Sequence, residues 1–468
     1  KFDNIIELID NSNDAKSSKI KIFIDKDKKK IYYCDNGKGM IEEEFEKLLT
    51  PYSDNDDESE EQNGRFGIGG NRAIFGLMNL ANHTNKNLKI YTETKSGDLL
   101  SFEVNFQDIE TLEDYESIEI LKNNEKSREK LKKIIKENNL KWTNGTVIEF
   151  TLDETIMNNL LNSTFETNIF KNIKLYLTQT YNYLLETGLS ISFNNKKVYN
   201  IDNDLINNIS ETYSINLWES SEGNIEFSVY HNNLYHYILK DSRTRSGYAN
   251  NLKSQKKEKF KTPYAKIGSI DFICSFDKKN IKTGDKGDYI PASVMPEYIS
   301  DVYKKYEITM ENTEEIGDNK IEWEYFEITQ NINVRRGNRN IGYLEYNSHT
   351  TGNDGNLKKQ RRNIQKNLRF NRNMDSILNL TQDNKSSVSW KNTIEGLEHC
   401  LSLLVEKFKN DRVSKYLKET KERKNLLENI EKYKSKLPNI EINDSITEFS
   451  DIEDIKNNVK EFKNTIDK

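Results

Sequence analysis

The sequence predicts an α+β protein that contains more than one domain. Its 468 residues exceed the roughly 100 to 200 residues of an ordinary domain. Segments with the alternation of strands are interspersed with segments of helical periodicity up to about residue 390, and only helical spacing follows. We therefore predict one α+β domain over residues 1–155 and a second over residues 156–392, with an irregular insertion near 277–319. Residues 393–468 are predicted to form a helical or coiled-coil stalk.

Composition narrows the class of protein. Charged residues make up 31% of the chain and hydrophobic residues 34%, and no run approaches the roughly 20 apolar residues that cross a bilayer. We therefore expect a cytoplasmic protein, or a nuclear one in a eukaryote, without a membrane segment. The net charge of −6 argues against a surface that coats nucleic acid everywhere. Three cysteines without a C-x-x-C pair indicate neither a zinc site nor a disulfide framework.

The predicted elements begin with a helix over residues 3–15, which places Ile5, Leu8 and Ile9 on one face. Because this periodicity starts at once and residue 1 is not Met, we expect preceding residues to be missing. The first predicted domain continues with alternating strands at 19–25, 31–34, 88–93, 99–106 and 146–152 and with helices at 41–49, 73–80 and 125–137. The acidic, polar residues 53–63 lack apolar periodicity, which predicts a mobile loop.

The second predicted domain mixes the same two periodicities. A helix is expected at 165–186, and strands are expected at 225–230, 269–276, 321–328 and 332–335. In the stalk, apolar residues recur at spacings of three and four, which is typical of an amphipathic helix. These residues are Ile394, Leu397, Leu401, Leu404 and Phe408.

Three polar residues of the first helix share one face. Glu7, Asn11 and Asp14 are spaced i, i+4 and i+7, so they project away from the apolar stripe of that helix. A carboxylate beside an amide suits a general base that activates water next to an oxygen ligand for Mg²⁺. Taken alone, such a triplet is more often a polar helix face in solvent.

Two glycine-containing segments also carry chemical information. Asp35 ends a strand and leads into the turn Asn-Gly-Lys-Gly-Met, where a carboxylate could accept a hydrogen bond from an exocyclic amine. Residues 64–70, Gly-Arg-Phe-Gly-Ile-Gly-Gly, precede a predicted helix, where backbone N–H groups can approach phosphate. They are not a Walker A loop, because no Gly-Lys-Ser/Thr follows. Either segment alone can be an ordinary turn.

The order of these segments is more specific than any one of them. Residues 7–15 (Glu-Leu-Ile-Asp-Asn-Ser-Asn-Asp-Ala), 35–40, 64–70 and 144–146 (Asn-Gly-Thr) occur in succession. Together they resemble the N-box and the three glycine boxes of the GHKL superfamily, which groups DNA gyrase, the ninety-kilodalton heat-shock chaperones, histidine kinases and MutL. The resemblance implies a Bergerat-type α/β sandwich that binds ATP and Mg²⁺ and hydrolyses ATP.

The resemblance also implies a role for each matching residue. Glu7 would be the general base, Asn11 a Mg²⁺ ligand and Asp14 a partner on the pocket wall. Asp35 would recognise the adenine amine, with support from Thr146. The adenine pocket would be shaped by Gly37, Gly39 and Met40. The phosphate loop would contain Gly64, Gly67 and Gly69, and residues 53–63 would form the lid. One departure is that Gly70 and Asn71 stand where many relatives have an aromatic residue or a lysine.

The second predicted domain resembles the transducer domain of the same superfamily. Residues 380–385, Leu-Thr-Gln-Asp-Asn-Lys, look like the switch loop whose lysine, here Lys385, would reach the γ-phosphate. Residues 333–339, Asn-Val-Arg-Arg-Gly-Asn-Arg, resemble a strand and Arg-rich turn of MORC-like members. The alternative is that Lys385 is an ordinary exposed loop lysine.

Two basic stretches are candidates for contact with duplex DNA, since lysine and arginine release counterions from phosphate backbones. The first, residues 253–266, includes Lys253, Lys256, Lys257, Lys259, Lys261 and Lys266. The second, residues 358–372, includes Lys358, Arg361, Arg362, Arg369 and Arg372. Such charge runs also occur on ordinary solvated faces.

The resemblance implies an ATP-dependent clamp that forms a homodimer when ATP binds, and the basic stretches favour an action on DNA in the manner of MORC or MutL over the other functions. Two alternatives remain open. One is a chaperone-like ATPase that remodels proteins. The other is a regulatory or defence ATPase that switches a partner protein bound to the C-terminal helices.

Overall fold

The structure is a computed structural model, and it confirms the predicted α+β class with two large mixed sheets. It describes residues 3–49, 87–105, 118–138, 140, 142–151, 154, 157–158, 173–200, 208–240, 248–260, 263–277, 281–283, 289–291, 331–344, 364–375, 377–378, 394–436 and 452–466. None of the helices within these ranges is long and apolar enough to cross a membrane.

The first sheet has eight strands in the order β5-β4-β3-β6-β2-β1-β7-β8. They are Lys19–Asp25 (β1), Lys30–Asp35 (β2), Asn87–Glu93 (β3), Leu99–Asn105 (β4), Leu121–Lys122 (β5), Gly145–Thr151 (β6), Ser190–Phe193 (β7) and Lys196–Lys197 (β8). All neighbours are antiparallel except β1 and β7, which pair in parallel. The first sheet thus takes in strands beyond residue 155, where the sequence predicts a domain boundary.

Helices cover both faces of the first sheet. One face packs against Asp3–Asp14 (α1), Glu42–Leu49 (α2) and Ile173–Glu186 (α4), and the other against Glu125–Glu137 (α3). Successive residues of a strand point to opposite faces. Accordingly, Tyr33 of β2 joins the core beside α1, while Tyr32 and Cys34 join the core beside α3. This double cover explains why residues 31–35 are all buried.

The second sheet also has eight strands, in the order β12-β11-β10-β9-β13-β18-β16-β17. They are Asn208–Glu219 (β9), Ile225–His231 (β10), Leu234–Lys240 (β11), Tyr248–Gln255 (β12), Ala265–Asp277 (β13), Ile332–Arg336 (β16), Arg339–Leu344 (β17) and Ile364–Phe370 (β18). Strands β16 and β18 are parallel, and the other neighbours are antiparallel. The β16–β17 connection is a tight hairpin.

The region predicted as an irregular insertion contains two described strands. Strands Ile281–Thr283 (β14) and Tyr289–Pro291 (β15) pair as a separate two-stranded sheet. The strand predicted at residues 321–328 lies outside the described residues.

The C-terminal helices do not begin as a free stalk. Helix Leu397–Phe408 (α5) packs its apolar stripe into the core of the second sheet, where Leu401, Leu404 and Phe408 have no exposed surface. A five-residue π-helical segment, residues 409–413, leads from α5 into Ser414–Lys436 (α6). Because the same three- and four-residue spacing describes a stalk and a helix packed on a sheet, periodicity could not separate them.

The last two helices pack against each other. Helix α6 meets Ile452–Ile466 (α7) through an apolar cluster and a pair between Lys456 and Glu422 at 3.2 Å. The cluster consists of Leu426, Leu427, Ile430, Ile455 and Val459. The predicted division of the chain at residues 155 and 392 stays a prediction.

The packing of α5 generates a stability test. We expect Leu404→Ala to lower the free energy of unfolding by about 2–5 kcal/mol, because it leaves a cavity in the core of the second sheet. Leu239→Ala in β11, where the side chain is 41% exposed, is the matched control and should change it by less than about 0.5 kcal/mol. Urea titrations followed by circular dichroism measure both, and equal stability of the two variants would contradict the packing of α5.

Candidate functional site

The first group of predicted site residues lies on α1. Glu7, Asn11 and Asp14 are partly exposed, whereas Ile6 and Ile9 of the same helix are fully buried. The apolar side of α1 anchors the helix to the first sheet, so the polar side has a fixed position. The amphipathic pattern therefore places a carboxylate and an amide together on a rigid element.

Asp35 is buried at the end of β2, with 7% of its surface exposed. Its Oδ1 accepts hydrogen bonds from the Gly37 N–H at 2.8 Å and from the Ser17 hydroxyl at 3.1 Å. Its Oδ2 accepts one from the Ser12 hydroxyl at 3.0 Å. Because Ser12 follows Asn11 on α1, this bond joins the polar helix to the end of the central strand.

Burial and hydrogen bonding shift the pKa of the Asp35 carboxyl group in opposite directions. Burial raises its pKa, because the charged form loses solvation. The rise is opposed by hydrogen bonds to the carboxyl group, whose donors are Gly37, Ser12, Ser17 and Thr146. These donors also fix the orientation of the group, and a buried, oriented carboxyl oxygen can recognise an N–H donor.

The turn after β2 needs glycine at a point of close backbone approach. Gly39 has φ +73°, and a Cβ atom there would lie 2.4 Å from the carbonyl oxygen of Glu93. Gly145 has φ +128°, and a Cβ atom there would lie 2.1 Å from the carbonyl oxygen of Asp35. The two glycines let the turn approach the ends of β3 and β6.

Thr92 on β3 is a site residue that sequence reasoning missed. It has no exposed surface, and its hydroxyl oxygen accepts a hydrogen bond from the Met40 N–H at 2.9 Å. It also lies 3.3 Å from the Thr146 hydroxyl. The ladder places Thr146 opposite both Thr92 and Asp35. The signal in the sequence that could have indicated Thr92 was its position next to the end of an alternating strand.

Several predicted site residues cannot be placed. Gly64, Gly67, Gly69, the acidic segment 53–63 and Lys385 all lie outside the described residues. Of the predicted set, the structure brings together α1, Asp35, the glycine turn and the start of β6.

Arg339 is a second residue whose position the sequence did not reveal. It lies on β17 of the second sheet, yet its Nη1 is 2.5 Å from Oδ2 of Asp10 and 3.7 Å from Oε1 of Glu7 on α1. The Tyr181 hydroxyl of α4 lies 2.9 Å from both Oδ1 of Asp10 and the carbonyl oxygen of Ile6. The Arg-rich turn was visible in the sequence, but not which of its arginines reaches α1.

The environment keeps Arg339 charged. Burial alone would lower its pKa, but the neighbouring Asp10, Tyr181 and Glu7 raise it above its usual value. Asp10 and Arg339 are only 4% and 5% exposed. A guanidinium in this setting is therefore a fixed positive charge beside the two carboxylates.

The two basic stretches differ in exposure. In the first, Lys253, Lys256, Lys257 and Lys259 are exposed. In the second, Lys366 lies in the core of the second sheet, where it donates a hydrogen bond to the Ile364 carbonyl at 2.8 Å and burial lowers its pKa to about 7.

The rest of the second stretch adds little exposed charge within the described part of the chain. Arg369 lies over the ring of Tyr183, 5.8 Å from its centroid. Lys358, Arg361 and Arg362 lie outside the described residues, and the side chain of Arg372 is not described either. The described part of residues 358–372 therefore contributes little exposed positive charge, and contact of this stretch with DNA stays a prediction.

The close approach at Gly39 predicts a difference between two glycines. Gly39 and Gly97 both have positive φ, but a Cβ atom at Gly97 would meet nothing within 4 Å. We expect Gly97→Ala to cost roughly 1–2 kcal/mol from backbone strain alone. Gly39→Ala should cost more than about 3 kcal/mol, because the new methyl group also displaces the backbone at Glu93. Thermal and urea unfolding measure both variants, and equal losses would show that the approach is not close.

Comparison with known proteins bears on the same residues. A family model described as "Histidine kinase-, DNA gyrase B-, and HSP90-like ATPase" matches residues 2–139. No curated protein matches the chain significantly. The matched residues include α1, the Asp35 turn and the glycine-rich segment 64–70, and they end before Asn144. Residues 2–139 of this chain are therefore similar to the histidine kinase-, DNA gyrase B- and HSP90-like ATPases, the GHKL superfamily of ATP-binding proteins.

Proposed function

We propose that the first sheet and its helices bind ATP with Mg²⁺ and hydrolyse it, and that the chain works as an ATP-dependent clamp. The observation that carries this proposal is the buried Asp35 carboxyl group, which is hydrogen-bonded to Ser12 on the helix that bears Glu7 and Asn11. A single hydrogen bond thus links the part of the site proposed to recognise adenine to the part proposed to hydrolyse ATP.

Recognition of adenine would use the buried end of β2. Asp35 accepts the hydrogen bond of the exocyclic amine, and Gly37, Gly39 and Met40 shape the pocket beside it. Thr146 supports the Asp35 carboxyl group from β6. The contact between Thr92 and the Met40 N–H supports this role, because it fixes the turn against the sheet.

Hydrolysis would use the polar side of α1. Glu7 accepts a proton from the attacking water as the water oxygen bonds to the γ-phosphorus and the ADP oxygen leaves. Asn11 offers an amide oxygen to Mg²⁺, and Asp14 lines the pocket wall. Mg²⁺ usually takes one or two protein ligands together with phosphate oxygens and water. The donor set fits such a site, because Asn11 lies on the partly exposed side of α1 beside Glu7 and Asp14.

Other parts of the proposal rest on the sequence resemblance. Gly64, Gly67 and Gly69 would cradle the phosphates, and residues 53–63 would close over them as a lid. Lys385 would contact the γ-phosphate, so that ATP but not ADP stabilises the closed state. Closure would favour a homodimer through the first sheets of two chains.

The client of the clamp is proposed from surface charge. The exposed lysines of residues 253–259 favour duplex DNA over a protein client, because clustered exposed positive charge gains binding free energy by releasing counterions from phosphate. A chaperone-like or partner-switching ATPase remains the alternative. A partner protein on the C-terminal helices would have to use α6 and α7, because the apolar stripe of α5 is buried within the chain.

The two ends of the site predict two different defects. Glu7→Ala should keep nucleotide affinity and lower turnover by about 10²–10⁴-fold, because it deletes only the proton acceptor. Asp35→Asn should lower affinity for both ATP and ADP by roughly 10–100-fold, because a buried hydrogen-bond partner of adenine is changed. Calorimetric titration and a phosphate-release assay separate the effects. A Glu7→Ala chain with parental turnover would remove Glu7 from the mechanism.

The proposed DNA contact predicts a salt-sensitive response. Duplex DNA should stimulate turnover and, with a non-hydrolysable ATP analogue, increase the dimer fraction, and both effects should fall steeply between about 50 and 200 mM salt. The double variant Lys256→Gln/Lys257→Gln should weaken both. Lys415→Gln/Lys418→Gln on α6 removes the same charge elsewhere and is the control. If DNA changes neither turnover nor dimerisation, the chaperone-like or partner-switching alternative replaces the DNA clamp.

A further inference from the structure

The hairpin of β16 and β17 carries two buried arginines with different partners. Arg336 and Arg339 are paired across this hairpin. Arg336 donates from Nε and Nη2 to the two carboxylate oxygens of Asp375, at 2.7 and 2.5 Å, and Asp375 lies in the turn that follows β18 of the second sheet. Arg339 reaches out of the second sheet to Asp10 on α1. One hairpin thus makes an internal ion pair and an ion pair between sheets.

The ion pair between the sheets, Arg339 with Asp10, lies next to the proposed catalytic residues of α1. Asp10 directly precedes Asn11 and is one helical turn after Glu7, so its carboxylate shares a side of α1 with that of Glu7. The guanidinium of Arg339 lies 2.5 Å from Asp10 and 3.7 Å from Glu7. A planar guanidinium with several donors can hold two carboxylates at once in a fixed relation.

A third element holds the same carboxylate from the other side. The Tyr181 hydroxyl of α4 contacts Oδ1 of Asp10, while Arg339 contacts Oδ2. Tyr181 also contacts the carbonyl oxygen of Ile6 in the first half of α1. The position of α1, and with it the direction of Glu7, is therefore set jointly by α4 and by the second sheet.

Separation of the second sheet from α1 costs free energy, because it breaks the buried Asp10–Arg339 pair. Asp10 and Arg339 are each almost fully buried, and a buried charge that loses its partner is strongly unfavourable unless water replaces the partner. Withdrawal of the hairpin from α1 would remove the positive charge beside Glu7. The Asp10–Arg339 contact is therefore present when the second sheet is docked on α1 and absent when it is undocked. The charge environment of Glu7 and Asp10 differs between these two states.

We propose that Arg339 is a positioning residue: it holds Glu7 and Asp10 of α1 in the arrangement that hydrolysis needs, and it makes turnover depend on docking of the second sheet. The inference rests on the proposed role of Glu7 as the base. Arg339 itself takes no proton from water and contacts no adenine group.

The test compares two double variants of the full chain. Asp10→Asn/Arg339→Met removes the pair between sheets without leaving a lone buried charge. Asp375→Asn/Arg336→Met removes the buried pair of the same hairpin that stays within the second sheet, and it is the matched control. For each chain, kcat, KM, affinity for a non-hydrolysable ATP analogue and hydrogen exchange of the α1 amides are measured.

We expect Asp10→Asn/Arg339→Met to lower kcat by about tenfold or more while analogue affinity stays within roughly threefold of the parent, as for an interaction that orients the reacting group. Its α1 amides should exchange faster without nucleotide. The control should keep kcat within roughly twofold of the parent and leave α1 exchange unchanged. A merely structural role of Arg339 would lower affinity and kcat together, or lower kcat equally in both variants, and either result overturns the inference.

The same measurements separate this inference from the proposed function. A parent chain that hydrolyses no ATP refutes the proposed function. In that case α1 exchange still reports whether Arg339 holds α1, and equal exchange in both double variants overturns that contact as well. A parent that hydrolyses ATP, together with an Asp10→Asn/Arg339→Met chain of unchanged kcat, refutes only the role of Arg339.

Discussion

The carboxyl group of Asp35 is the point at which several separate segments of the first sheet meet. It accepts hydrogen bonds from Ser12 on α1, from Ser17 in the following loop, from the Gly37 turn and from Thr146 on β6. An ionised carboxyl group cannot lose its water without such replacements. The donors therefore make burial of the group feasible, and in return the group sets the spacing between α1, the turn and β6. The described parts of the candidate site, namely the polar side of α1, the glycine turn and the start of β6, lie around this carboxyl group.

Contacts between the two sheets are of a different kind. Among the described residues, helix α4 supplies polar or amphipathic side chains to several of them: the Tyr343 hydroxyl donates to Gln179 at 2.5 Å, and the guanidinium of Arg335 lies 4.6 Å from the centroid of the Tyr183 ring. Apolar cores hold each sheet to its own helices, whereas these contacts between the sheets are made by polar groups, a guanidinium and ring faces. Interfaces of this polar character are typical of domains that move relative to each other. The arrangement suits a protein whose parts dock and release in a cycle.

Much of the first sheet could be predicted from the sequence, because local periodicity and turn residues determine α1, β1 and β2 and because Asp35 stands at a recognisable strand end. The missed features all depend on pairings between distant residues. Lys366 falls within the basic stretch 358–372, but the alternation of β18 places its side chain on the apolar face. Leu404 lies on α5, and the apolar periodicity of this helix does not indicate which surface the helix packs against. Arg339 reaches Asp10 across 329 residues of sequence, and no local signal distinguishes it from the other arginines of its turn.

The parallel pairing of β1 with β7 has a consequence for the order in which the chain can fold. Lys19 pairs with Ser190 and Ile22 with Phe193, so one edge of β1 has no neighbour until β7 has been made. At about 5–20 residues per second, a ribosome reaches β7 roughly 10–30 s after β1. During that interval the nascent first sheet presents an open strand edge, which is a site for unwanted pairing with other chains. The matched family region ends at residue 139, so a fragment cut there would keep this edge open permanently.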